Sequence, residues 1–491
     1  MDDRKPIDRR SVLLAGTAAA AGVAAAPLGR VARAEAPIRP VRGRAEQPAR
    51  ARNLIFMVAD GMSTGTLTLA HLARLRREGR ASRWVETWSR PGVRRASATT
   101  HAADSLVTDS AAGGSAWGIG VKVYNGAINI DSKGRQWLPI LPHARQQGKM
   151  TALVTTTRVT HATPASFAAN VPHRDFEPAI AEQLLDRQVD LILGGGQKHF
   201  GEEMLSRHPA YRVARTSGEL AAIGETPGPL LGIFAEDHLP YALDGAPGVP
   251  TLAELTRCAL GRVSRAASAE GFVMQIEGGR VDHAAHANDA AALVNDQLAF
   301  DDCVGLVAEW TEGRDDTLVI VTSDHGNANP GLTLYGPRGD RAMDRLLKIS
   351  ASYERLEFLA TERAAGAGGF APAFLAALQE ATGIELGPEE RGMVLGSRRS
   401  ERVAPFVEMN NWSSVLGQVM ANHVGVSFIS PNHTADVVEV TAWGPGSEKL
   451  PAFCDNTDLH GLAVRALDLA PGRLLEGMDR VIMPRRSRTG E

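Results

Sequence analysis

The sequence predicts an α/β fold: a doubly wound, mostly parallel central sheet flanked by helices, with an inserted helical cap region. Three observations carry that prediction. Short apolar runs recur along the chain, glycine or another turn residue bounds each one, and helix-length segments separate them. The runs are continuous rather than alternating, as expected of strands buried on both faces.

The first run, Leu54 to Val58, ends in Ala59-Asp60-Gly61. A second opens at Leu153-Val154 and continues through Thr155 to Arg158, and Leu191 to Leu193 ends in the triplet Gly194 to Gly196. That triplet reads as a tight turn, because it lacks the lysine and hydroxyl of a P-loop and the spaced glycines of a dinucleotide site. Phe272 to Ile276 ends in Glu277-Gly278-Gly279, and Leu318 to Thr322 ends in Ser323-Asp324-His325-Gly326. Ligands of such sheets bind beyond the carboxyl ends of the strands, where Asp60, Glu277, Asp324 and His325 fall. Between about 330 and 405 two amphipathic stretches, Met343 to Arg363 and Ala371 to Gln379, are joined by an Ala/Gly-rich link and read as helices of a cap. The expected organisation is an export signal over 1–34, a flexible segment over 35–51, a catalytic core over 52–329, the insertion over 330–422, and the rest of the core over 423–491.

Composition excludes several function classes. The 491 residues are 44% hydrophobic and 22% charged with a net charge of -3, so no polybasic face for nucleic acid is expected. Cys258, Cys303 and Cys454 are far apart and lack metal-ribbon or redox spacing, and read as small buried hydrophobes, with one disulfide left open. Near the N-terminus, Arg9-Arg10 precedes the Ala-rich run Ala15 to Pro27, and Ala32-Arg33-Ala34 supplies a cleavage pattern. Paired arginines before a weakly apolar run are similar to a twin-arginine export signal, so a periplasmic or secreted protein is expected. The run is well short of the ~20 residues of a spanning helix, and no membrane span is expected in the mature chain.

The chemistry-bearing residues cluster around these strand ends. In TDSAAGGSAW, Asp109 and Ser110 precede small residues at what reads as a helix start. Asp-Ser there suits a helix cap and a nucleophile equally. No histidine beside the serine in sequence offers a general base, which favours activation by metal. Asp282 and His286 stand one helical turn apart, so on a helix they project from one face toward one ion. Acidic and histidine clusters around Asp60, His161, Glu277 and Asp324 would meet at the same sheet edge, where carboxylates repel unless cations neutralise them.

At these residues the chain resembles alkaline phosphatases. The resemblance covers most of residues 52–330 and again about 423–465, and rests on VADGMS, TDSAAGGSAW, GVKVYNGA, TTTRVTHATPASFAAN, EGGRVDHAAHAND, TSDHG and NHTADVVEV. It implies that Ser110 is the nucleophile that becomes phosphoserine and that Arg174 grips phosphate oxygens. It further implies one zinc on Asp282, His286 and His433, and a second on Asp60, Asp324 and His325. Asp60 would bridge to a magnesium site completed by His161, Thr163 and Glu277. The implied chemistry is an in-line displacement in which two metals ~3.5–4 Å apart clamp the attacking and leaving oxygens of a small phosphate monoester. A homodimer is compatible with the resemblance.

Two departures from the best-known bacterial pattern stand out. His161 occupies a position commonly held by an acid, and His283 one held by a lysine, so the third site is expected to bind magnesium weakly or to take zinc. The 330–422 insertion matches neither the bacterial nor the animal pattern, and carries Asn410, Asn411 and Trp412 toward His433. Rival readings are a phosphodiesterase of the same superfamily and a zinc-binding exported protein without turnover. A sulfatase is disfavoured, because Ser110 is not followed by the Pro and Arg that its modification needs.

Overall fold

The computed structural model describes residues 50–475 apart from 225, 267, 268 and 471. The expected export signal lies outside the described residues. The strands, in chain order, are β1 (Asn53–Ala59), β2 (Arg94–Thr99), β3 (Met150–Arg158), β4 (Leu191–Gly195), β5 (Arg212–Ala214), β6 (Leu230–Ile233), β7 (Phe272–Gly278), β8 (Thr317–Thr322), β9 (Gly326–Asn327), β10 (Gly331–Leu332), β11 (Val426–Ser427), β12 (His433–Thr434), β13 (Val438–Trp443) and β14 (Phe453–Asp455). Ten of them form one sheet in the order β14-β2-β13-β8-β1-β7-β3-β4-β6-β5. Every pairing in it is parallel except those of β13 with β2 and β8. The predicted doubly wound sheet is therefore present, with an antiparallel strand set into one flank.

Alternation along the central strands explains the two layers that cover it. Leu54, Phe56 and Val58 pack into one apolar core and Ile55, Met57 and Ala59 into another on the opposite face. Successive side chains of a strand point to opposite faces, so a continuous apolar run serves both. Register then aligns the strand ends: Val58 lies beside both Glu277 and Thr322, and Thr155 beside Glu277. Everything just past those residues shares one edge.

The insertion is helical but not divided as the sequence suggests. In place of one helix over Met343 to Arg363 there are two, Pro337–Leu346 and Tyr353–Arg363. Ser352 breaks the run: its side chain caps Arg355 N, while Asp244 accepts from both its backbone N–H and its hydroxyl. The second expected stretch becomes Phe370–Thr382, and Pro388–Arg398 and Trp412–Val424 add two more helices. Their apolar faces, with Leu356, Phe374, Leu378, Leu416 and Met420, close a third core against Leu69, Ala73 and Val294 of the Thr64–Glu78 and Ala290–Trp310 helices. The three cysteines are unpaired; Cys303 and Cys454 are buried and Cys258 is partly so. Among the described residues no helix is long and apolar enough to cross a membrane.

Candidate functional site

Ser110 opens the helix Ser110–Ile119, with Asp109 as its cap accepting from Ala112 N at 2.9 Å. The small residues that follow permit close approach. A Cβ on Gly114 would lie 2.4 Å from Ser166 Oγ, and one on Gly118 2.0 Å from Ser166 O, so the helix can press against the Ala162–Ser166 turn only as glycine. That contact sets Ser110 Oγ, itself buried, 3.5 Å from Asp60 Oδ1 and 3.2 Å from His325 Nε2. The sequence offers no histidine beside the serine; the fold delivers one from 215 residues away.

His325 does not face the serine as a simple base. Its Nδ1 points at the carbonyl of Gly326, an acceptor, so the proton sits on Nδ1 and Nε2 carries a lone pair. That lone pair faces Asp324 Oδ2 at 3.2 Å and Asp60 Oδ1 at 3.5 Å. The same pattern recurs nearby. His286 Nδ1 donates to Pro431 O (2.6 Å) and His433 Nδ1 to Thr108 O (2.8 Å), which aims both Nε2 atoms inward, 3.0 Å from each other. Asp282 lies 3.3 Å from His286 Nε2 and 3.6 Å from His433 Nε2. Histidines tied to a backbone carbonyl through one nitrogen and aimed at carboxylates through the other are built to hold a metal. The His325 and His433 rings stack with centroids 3.7 Å apart, so the two groups are contiguous.

Asp60 joins these groups to a third. Its Oδ1 faces Ser110 and His325, and its Oδ2 faces Thr163 Oγ1 at 3.2 Å and His161 Nδ1 at 3.9 Å. Asp60, His161 and Glu277 place their ligating atoms within 4.8 Å of one another, as do Asp60, Asp324 and His325, and Asp282, His325 and His433. Buried Glu277 Oε1 and Asp324 Oδ2 have no hydrogen-bond partner, which an ion at each group would supply.

Electrostatics point the same way. Burial, with Asp324 and Asp282 nearby, holds Asp60 well above the usual carboxylate range, and burial with like charge pushes Glu277 and Asp324 up to about 7. Burial also works to raise Asp282, but His286 and His433 outweigh it and hold that carboxylate low. Burial works against His286 too, yet Asp282 raises it to about 9. The donor set of carboxylate oxygens and imidazole nitrogens, three of the latter inward, fits divalent metal ions.

His161 differs from the other three histidines. Its Nε2 faces the Arg174 guanidinium at 2.8 Å, and a guanidinium can only donate, so the proton lies on Nδ1 toward Asp60. Arg174 is also 3.3 Å from Asp109 Oδ2 and partly exposed. All eleven residues expected from the sequence thus converge: Asp60, Ser110, His161, Thr163, Arg174, Glu277, Asp282, His286, Asp324, His325 and His433. Sequence reasoning overlooked Asp109 as a partner of Arg174, and Thr155 and Thr157, whose hydroxyls donate to Glu277 Oε2. The Thr-Thr-Thr run at a strand end was a readable signal for the latter pair. It also passed over His238, packed 4.3 Å from His283 and 5.7 Å from His161, for which a lone histidine in a loop gives no signal.

Comparison with known proteins agrees with this geometry. The family model described as alkaline phosphatase matches residues 51–469. The repressible alkaline phosphatase of Saccharomyces cerevisiae is 36% identical over 56% of this chain and 54% of its own length. Alkaline phosphatase 4 of Bacillus subtilis is 28% identical over 86% of this chain and 90% of its own. Among solved structures, the Thermus thermophilus alkaline phosphatase superposes with a TM-score of 0.79 at 32% identity, covering 87% of this chain and 94% of that one.

Proposed function

The chain belongs to the alkaline phosphatase family, and on that footing we propose that it is an exported phosphomonoesterase acting through a phosphoserine on Ser110. The observation that carries this reading is the set of imidazole nitrogens of His286, His325 and His433 converging on the carboxylates of Asp60, Asp282 and Asp324 beside that serine. Asp282, His286 and His433 would hold one zinc, Asp60, Asp324 and His325 the second, and Asp60, Thr163, Glu277 and His161 a magnesium ion or a zinc in its place. When bound, the ions supply positive charge that acidifies the Ser110 hydroxyl and the hydrolytic water and offsets charge on the leaving oxygen.

The protein's own groups do the positioning. Ser110 Oγ attacks phosphorus from the first residue of its helix, where unpaired N–H groups favour an anion. The ester bond to the alcohol breaks, and water then releases phosphate from Ser110. Arg174 turns from Asp109 and His161 to two non-bridging oxygens in a bidentate fork, which suits a monoester better than a diester. That turn also frees His161 Nε2 to take the ring proton, leaving Nδ1 as a lone pair toward Asp60. The sequence of residues 8–34 supports export to the periplasm or beyond.

Metal analysis of the purified protein, with rates on a phosphate monoester and the matching diester, tests this reading. Bound zinc with faster monoester turnover is expected. Faster diester turnover would make it a phosphodiesterase, and bound zinc without turnover would make it a metal-binding protein.

A further inference from the structure

Beside the ends of β3 and β7, at Thr156 and Gly278, lies a cavity of about 240 Å³ that none of the metal-facing residues lines. One wall is the Ala290–Trp310 helix, which brings Asp296, Ala299 and Asp302 to it, three residues apart and so along one face. The other is the segment 239–253, Leu-Pro-Tyr-Ala-Leu-Asp-Gly-Ala-Pro-Gly-Val-Pro-Thr-Leu-Ala. Gly245 and Gly248 hold φ of 54° and 78° there, so the segment turns around the helix rather than settling on it. Ala299 is too small to fill the gap that remains, and Tyr241, Val249 and Leu252 make most of the lining apolar.

Asp296 interrupts that apolar surface. It is 4% exposed, its Oδ2 accepts from Ala242 N at 3.1 Å, and among the described residues no donor bonds its Oδ1. The charged groups around it are engaged elsewhere. Arg280 lies 3.7 Å above the Tyr241 ring and donates through Nη2 to Glu354 Oε2 at 2.6 Å, and Asp302 is paired with Arg74. Burial is the main force on Asp296 and pushes it up to about 7; Arg280 and the Ala242 N–H oppose the rise, and Asp244 and Asp289 add to it. A carboxylate short of counter-charge in apolar surroundings is relieved by a cation that can also donate a hydrogen bond. An apolar cavity of about 150 Å³ takes a benzene ring, so this one has room for a six-membered ring with an amino group.

We propose that this cavity is a binding site for a small primary ammonium ion with an apolar body, its N–H donating to Asp296 Oδ1 and its hydrocarbon lying against Tyr241, Val249 and Leu252. Thr156 and Gly278 join the cavity to the catalytic edge. Thr156 stands between Thr155 and Thr157, whose hydroxyls donate to Glu277, and Gly278 follows Glu277 directly. An occupant therefore rests on the strand ends that carry the third group while the metal-facing side chains stay outside its reach. The site does not depend on the phosphatase reading.

Calorimetric titration of the metal-loaded protein with cyclohexylammonium tests this, in saturating inorganic phosphate to keep the amine from the metals. At about pH 8.5 the Asp296 carboxylate is ionised and an alkylammonium keeps its proton. The expected result is saturable one-site binding to the wild type, weakened by about 10- to 100-fold in Asp296→Asn, which keeps the shape and removes the charge. Ala299→Phe, which fills the cavity from the helix, should abolish it, and cyclohexanol should bind the wild type as weakly as the ammonium binds Asp296→Asn. No saturable binding to the wild type overturns the proposal, and that measurement needs no variant to fold. Equal affinity in a folded Asp296→Asn or Ala299→Phe overturns it as well, and cyclohexanol binding as tightly as the ammonium overturns the ligand class. Both variants should keep monoester turnover in the absence of amine. Failure of the phosphatase reading would show separately, as absent turnover in the wild type with binding intact.

Discussion

Replacing Arg174 by alanine separates a substrate-gripping arginine from a structural one. Two charge-assisted hydrogen bonds to a phosphate would each contribute about 1.5–3 kcal/mol if the arginine were otherwise unengaged. It is not unengaged: it already meets Asp109 at 3.3 Å and His161 at 2.8 Å, and must give these up to reach substrate. The net loss on a monoester should therefore be near that of a single bond, about 1.5–3 kcal/mol, or roughly ten- to hundred-fold in kcat/KM. A diester carries one negative charge fewer and should lose several-fold less. The assay is kcat/KM for phenyl phosphate and its diphenyl counterpart in wild type, Arg174→Ala and Asp109→Ala. The third protein loses an arginine partner but keeps the arginine, so its deficit should be smaller than that of Arg174→Ala. Equal fold-losses on both substrates in Arg174→Ala would refute the fork and leave the arginine a strut for the Asp109 cap.

Three further outcomes follow from the same geometry. Ser110→Ala should retain its metals and lose orders of magnitude in turnover, and substrate trapped at low pH should label Ser110 in the wild type; label elsewhere would displace it as nucleophile. His161→Asp should bind magnesium more tightly, because a hard cation prefers carboxylate to imidazole, and its activity should depend less on added magnesium; coincident titration midpoints at fixed zinc would place His161 outside the ligand set. Asp296 is buried and raised to about 7 by that burial, with Ala242 N–H donating to it. The fold thus favours its neutral form, so its contribution to stability is present at low pH and is lost as pH rises from about 4 to 7. Asp296→Asn should be more stable than wild type above pH 7, by an upper bound of about 4 kcal/mol, with the gap closing toward pH 4 in urea unfolding; a gap independent of pH would contradict the assignment.

What the sequence made legible was local. Leu54 to Val58 and Phe272 to Ile276 are apolar at every position, and such runs identify central strands without knowledge of their neighbours. β2, Arg-Arg-Ala-Ser-Ala-Thr, was not readable, because only its two alanines are buried and its place depends on β13, more than three hundred residues later. The helix break at Ser352 was hidden for a similar reason: its acceptor Asp244 lies in a distant loop. Gly387-Pro388-Glu389-Glu390, by contrast, carries its own start signal, with Glu390 reaching back to Gly387 N, and the Pro388–Arg398 helix could have been found from it. At the site, motif residues pointed to the groups that converge there, but hydrogen-bond direction did not follow from them. Only Pro431, Thr108 and Gly326, through their carbonyls, decide which nitrogen of each histidine looks inward.

His433 sits on β12, which pairs with β9, the two-residue strand directly after Asp324-His325. Translation makes Asp60 early and His433 late, so a nascent chain that has not reached His433 lacks part of the set of metal-facing groups. An ion that needs the full set could be held only once β12 has closed on β9. For a protein exported unfolded that moment comes outside the cell, whereas cargo that folds first meets it in the cytoplasm and takes its ions from the pool there. On either route the metal-facing set is complete only when the two distant strands of this clasp, β9 and β12, have paired.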